Sequence, residues 1–66
     1  MKKLTINGEL RETDEATIAA LLQSINIHER MVVVEYNGEI VPREEYGKQE
    51  LADGDRLEIV QMMAGG

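Results

Sequence analysis

One stretch of helical spacing lies between two Asn-Gly pairs, and that arrangement restricts the fold more than any other feature of the chain. In TDEATIAALLQSI the apolar residues Ile18, Leu21, Leu22 and Ile25 fall at i, i+3, i+4 and i+7, on one face of a helix. No other stretch has this spacing so clearly. Thr17 or Asp14 can cap its start, and Thr17 is preferred because Asp14 and Glu15 then lie just ahead of the positive helix end. On either side, Asn7-Gly8 and Asn37-Gly38 separate runs of strand character, since Asn and Gly both accept the positive φ of a tight hairpin turn.

The runs around those turns supply the strands. KKLTIN alternates, with Leu4 and Ile6 on one face and Lys3, Thr5 and Asn7 on the other, and ELRET follows the first turn. MVVVEY is β-branched, and the second turn joins it to EIVPREEY. Pro42 cannot donate to a ladder, so that segment is expected to be short, on a sheet edge, or ended by the proline. Asp53-Gly54-Asp55 reads as a turn leading into RLEIVQMMA, where Leu57, Ile59 and then Gln61 or Met62 continue an alternating strand. The order ββαβ(β)β predicts an α+β fold, a mixed four- to five-stranded sheet with one main helix packed on one face. A right-handed crossover through the helix would set the first and last strands side by side in parallel at the sheet centre. The ubiquitin-like β-grasp is the leading architecture of this kind.

Size and composition narrow the function. With 66 residues the chain is expected to be a single domain, 1–66, since a chain of this size buries only about 60% of its unfolded surface. It has no Phe or Trp and two Tyr, so its core must be built from Ile, Leu, Val, Met and Ala, with little room for an enclosed substrate pocket. Glu44, Glu45, Asp53 and Asp55 lie close in sequence without a nucleophile, base and orienter around them, so no catalytic residue is assigned and no enzyme is expected. Arg43, beside Glu44 and Glu45, reads as an ordinary solvated charge. There is no cysteine, which removes disulfides, thiol chemistry and thiolate zinc sites from the chain itself. His28, the one histidine, stands among loop-like residues and is read as solvated, so no metal site is expected. A net charge of −6 repels nucleic acid and anionic membrane alike, and with no apolar run long enough to span a bilayer or direct secretion, a cytoplasmic location is expected.

The chain closes on QMMAGG. Terminal glycines alone fit an unconstrained end as well as a working one. Their context is more specific. NGEIVPREEY (37–46), LADGDRLEIVQ (51–61) and the final AGG (64–66), in that order and spacing, resemble the sulfur carrier proteins of thiamine biosynthesis, the ThiS family, and TIAALLQSI is similar to the helix of that family more loosely. The resemblance covers essentially the whole chain. It implies that the Gly66 carboxylate is adenylated with ATP by an E1-like activating enzyme, becomes a thiocarboxylate by way of a sulfur-donor protein, and donates sulfur to thiazole synthase. By position it makes Gly66 the modified residue, with Gly65 and Ala64 recognised as its flexible approach.

The tail suits that chemistry. An α-carboxyl, with an ordinary pKa of about 3.3–3.7, is ionised at neutral pH and can attack a phosphorus centre without a general base on this chain. No Gly-rich phosphate loop or basic cluster is visible, so ATP and Mg are assigned to the activating partner and no cofactor to this chain. Glycine, lacking Cβ, lets the backbone enter a narrow channel. Of Met62 and Met63, strand alternation turns one inward and the other outward, as a partner contact or as core filling. Two related roles remain open, the small subunit of molybdopterin synthase and a tRNA-thiolation carrier. A passive β-grasp interaction module is the reading from a different class.

Overall fold

A computed structural model describes residues 1–62. The chain runs β1 (Lys2–Ile6), β2 (Glu9–Thr13), α1 (Ile18–Ser24), β3 (Val32–Tyr36), β4 (Glu39–Val41) and β5 (Arg56–Gln61), with 3₁₀ turns at Glu29–Met31 and Arg43–Glu45. The five strands form one mixed sheet in the order β2-β1-β5-β3-β4. β1 and β5 are parallel neighbours at its centre, and the other pairings are antiparallel. This is the β-grasp arrangement expected from the sequence, with five strands.

The two Asn-Gly turns take the mirror-image hairpin geometry that their residues permit. Both central residues have positive φ, 51° and 81° at Asn7-Gly8 and 50° and 90° at Asn37-Gly38. Such turns match the right-handed twist of the flanking strands and set the register, pairing Ile6 with Glu9 and Tyr36 with Glu39.

Thr17 is the helix N-cap, its Oγ1 accepting from the Ala20 N–H at 3.2 Å. Ile18, Leu21 and Leu22 turn fully inward onto Leu4 and Ile6 of β1, Val32 and Val34 of β3, and Leu57 and Ile59 of β5. Each such side chain contributes about 1.5–3 kcal/mol by burial. Ile25 is half-buried and ends the helix.

Pro42 does terminate β4, a three-residue edge strand. The segment after it turns back onto the start of the helix, where the Tyr46 carbonyl accepts from Ala19 N–H at 2.9 Å and the Gln49 carbonyl from Ile18 N–H at 3.1 Å. Tyr46 and Leu51 thereby close the side of the core. The opposite edge strand, β2, is exposed along most of its length, and its Glu9, Arg11 and Glu12 guard that edge against further pairing.

Candidate functional site

The expected modified residue, Gly66, its approach Gly65 and Ala64, and Met63 lie outside the described residues. What is described is the strand that leads to them. β5 is central, with β1 on one side and β3 on the other, so the chain is delivered towards its C-terminus from the middle of the sheet.

The two ends of β5 are held differently. Before it, the Asp53-Gly54 turn has Gly54 at φ 91°, a conformation other residues rarely adopt. The Asp53 carboxylate accepts from the Lys3 N–H at 2.6 Å, tying the turn to the start of β1. Asp55 is the one buried charged residue among those described. Its Oδ2 accepts from the Tyr36 hydroxyl at 2.6 Å and from the Ala52 N–H at 2.7 Å, and its Oδ1 accepts from Asn37 Nδ2 at 3.2 Å. Burial alone would push this carboxyl up, but the hydrogen bonds from Tyr36, Ala52 and Asn37 together outweigh it and hold it below the ordinary aspartate value. The same bond to Asp55, aided by burial and by the Asp55 charge, raises the Tyr36 hydroxyl. The Tyr36 hydroxyl also lies 3.3 Å from the Glu50 carbonyl, and no buried side-chain polar atom among the described residues lacks a partner, which suits a fastening.

At the far end the support thins. Burial alternates along β5 through Leu57 and Ile59 and then stops, for Val60, Gln61 and Met62 are all exposed. Gln61 ends the strand as an exposed residue rather than extending the core face. On the β3 side, pairing continues to the last residue, Val32 facing Gln61, and Met62 N–H donates to the Met31 carbonyl at 2.8 Å. Met62 is 41% exposed and Met31 40%, so two adaptable side chains stand at backbone-bonded positions where the chain leaves the sheet. Of the alternatives for Met62, the exposed one holds.

On the face away from the helix, Val60 is also largely exposed, while Glu35 and Glu58 sit directly opposite each other. Arg43, Glu44 and Glu45 form an exposed 3₁₀ turn, and no hydrogen bond or strand pairing among the described residues joins them to Met62. His28 is exposed as expected, and its Nδ1 also accepts from the Arg30 N–H at 3.4 Å, capping a 3₁₀ turn. Among the described residues no cluster of His, Cys, Asp or Glu is arranged to hold a metal ion, and no helix is long and apolar enough to cross a membrane.

A family model described as the ThiS family matches residues 4–66. Over 65 residues the chain is 43% identical to the sulfur carrier protein ThiS of Bacillus subtilis, covering 96% of this chain and 98% of that protein. It is 46% identical over 65 residues to a thiazole synthase of Paramagnetospirillum magneticum, covering 97% of this chain but only 20% of that longer protein. The crystal structure of the thiamine biosynthesis protein ThiS from Geobacter metallireducens matches with a TM-score of 0.80 at 34% identity, covering 97% of this chain and 99% of that one. A solution structure of a thiamine biosynthesis protein from the same organism matches at 0.77, again at 34% identity, covering 97% of this chain and 87% of that one.

Proposed function

The chain belongs to the ThiS family of sulfur carrier proteins, and from that premise we propose that it carries sulfur for thiamine biosynthesis as a thiocarboxylate on Gly66. The observation that carries this reading is the family match, which runs through the body of the fold and on to Gly66. A central strand leading out of the sheet towards that residue supports it.

The chemistry needs little from the chain beyond the carboxylate. An E1-like enzyme binds ATP and Mg, and a carboxylate oxygen of Gly66 attacks the α-phosphorus, forming the acyl–adenylate bond and expelling pyrophosphate. Hydrosulfide delivered by a donor protein then attacks the acyl carbon and AMP leaves with the bonding pair, which yields the thiocarboxylate once the S–H proton is lost to solvent. Adenylation is necessary because a carboxylate oxygen is otherwise too poor a leaving group. The body of the fold presents and identifies the tail, and the partner supplies the nucleotide site and charge stabilisation.

Thiazole synthase is the proposed acceptor of the sulfur. A relative of that name contains a segment similar to nearly all of this chain, as expected of two functions of which one takes up what the other delivers. Intact mass spectrometry of the protein incubated with ATP, the activating enzyme and a sulfur donor tests the reading. Exchange of one oxygen for sulfur is expected, and it should vanish when Gly66 is deleted. An unchanged mass in the presence of active enzyme would overturn the proposal.

A further inference from the structure

The turn at Asn7-Gly8 needs a residue that accepts positive φ, and glycine would meet that need as well as asparagine. The carboxamide of Asn7 does something further. Parallel pairing of β1 with β5 covers only Thr5 with Arg56 and Ile6 with Leu57, because the chain turns away at Asn7. The Asn7 N–H still donates to the Leu57 carbonyl at 3.0 Å. In a continuing parallel ladder the next bond would run from the Ile59 N–H to the Asn7 backbone carbonyl. Here the Ile59 N–H donates to Asn7 Oδ1 at 2.7 Å, and Asn7 Nδ2 donates back to the Ile59 carbonyl at 3.1 Å. A side-chain carboxamide has the C=O and N–H of a peptide group, and this one takes the place of the missing strand.

Among the described residues, the hydrogen bonds on this side of β5 stop at Ile59, so this clasp is the last support there before the tail. We propose that Asn7 is a positioning residue: its carboxamide holds the root of the C-terminal segment, so that the Gly66 carboxylate is presented from a fixed strand. This second clause rests on the proposed role of Gly66. A strand held on both sides as far as Ile59 limits the sideways freedom of everything beyond it, and orientation of a reacting group is where such restraint enters a rate.

Asn37 offers an internal control. It uses the same substitution of Oδ1 for a backbone carbonyl, accepting from the Arg56 N–H at 2.8 Å, but at the opposite end of β5. Asn7→Gly and Asn37→Gly each keep a residue suited to the turn while deleting one clasp, and Asn37→Gly removes the bond to Asp55 Oδ1 as well. Asn7→Asp keeps the acceptor for the Ile59 N–H but sets a carboxylate without a donor against the Ile59 carbonyl.

The test pairs amide hydrogen exchange in the free protein with steady-state adenylation, followed by pyrophosphate release from ATP. For Asn7→Gly, exchange at the Ile59 amide should speed up about tenfold, the scale set by a lost hydrogen bond or two. The saturating adenylation rate should fall several-fold with KM unchanged, and Asn7→Asp should not restore it. Asn37→Gly should lower the unfolding midpoint but leave both the Ile59 exchange rate and the saturating rate at wild-type values. Wild-type exchange at Ile59 in Asn7→Gly, a wild-type saturating rate in that variant, or an equal rate loss in Asn37→Gly would each overturn the proposal. If the wild-type protein itself is not adenylated, the proposed function fails, and exchange at Ile59 still decides whether the clasp exists.

Discussion

The two ends of β5 are built from the same kinds of group and held to different standards. Where the strand begins, a buried carboxylate gathers a phenol, a backbone amide and a carboxamide, joining β5 to the preceding turn and to the end of β3. Where it ends, the core gives out after Ile59, and the restraints are one carboxamide on one side and the backbone of β3 on the other. The first end contributes to stability, since breaking it strands polar groups in a half-dry environment. The second is where the proposed role in presentation falls, since Ile59 is the last core residue of the strand. A carrier needs both, for its reacting end must be accessible and the body behind it must stay folded while partners exchange.

The largest stability effect is expected at the beginning of β5. Asp55→Ala removes three hydrogen bonds to a charged acceptor and leaves the Ala52 N–H and the Tyr36 hydroxyl without it. We expect a loss of about 3 kcal/mol in chemical denaturation. A loss below about 1 kcal/mol would mean that water replaces the network freely and that the two ends differ less than the geometry implies.

The network also predicts a pH signature. Asp55 is held below its ordinary value in the folded state, so it binds its proton more weakly folded than unfolded. Its stabilisation is therefore present above the unfolded carboxyl pKa of about 3.9 and is lost as pH falls through the lower folded value. Tyr36 is raised, so its contribution is present below an unfolded value of about 10 and is lost as pH rises through the folded one. Denaturation midpoints measured across pH should show both limbs in the wild type. Asp55→Ala should remove the acid limb due to this residue, and Tyr36→Phe the alkaline limb due to the phenol. An acid limb unchanged in Asp55→Ala would assign that limb to other carboxylates.

Much of the body was legible in the sequence because its signals are local. Four apolar positions at helical spacing gave the helix and its buried face, two Asn-Gly pairs gave the hairpins, and Pro42 gave the end of the edge strand. A helix between hairpins also pointed to the parallel pairing of the first and last strands, though local spacing did not carry the full strand order. What local spacing does not carry is the use of side chains across the fold. Asn7 meets Ile59, and Tyr36 and Asn37 meet Asp55, across separations that no pattern of nearest neighbours spans. The Asp53-Gly54-Asp55 stretch is indeed a turn, yet its second acid is also the hub of a network. One signal was present in retrospect: both hairpin turns use Asn, which among the turn residues offers a donor and an acceptor on one short side chain. Tyr46 was hidden for a related reason, since a tyrosine after Pro-Arg-Glu-Glu gives no periodic sign that it closes the core.

The proposed reacting end rests on likeness to a family rather than on physics alone. Its sharpest contrast with the body is the expected response to one added side chain. If the body folds independently of the tail, Gly65→Val should shift stability by no more than about 0.5 kcal/mol, the scale of a substitution outside the core and its hydrogen bonds.

The most direct test of this division of labour is ATP–pyrophosphate exchange by the activating enzyme with Gly65→Val as substrate, at matched concentrations of folded protein. A glycine approach to a narrow channel predicts that exchange falls at least about tenfold, the effect of little more than 1.4 kcal/mol on the reacting geometry. Exchange at the wild-type rate would contradict the account, because the tail would then need neither glycine nor a slender approach to deliver its carboxylate.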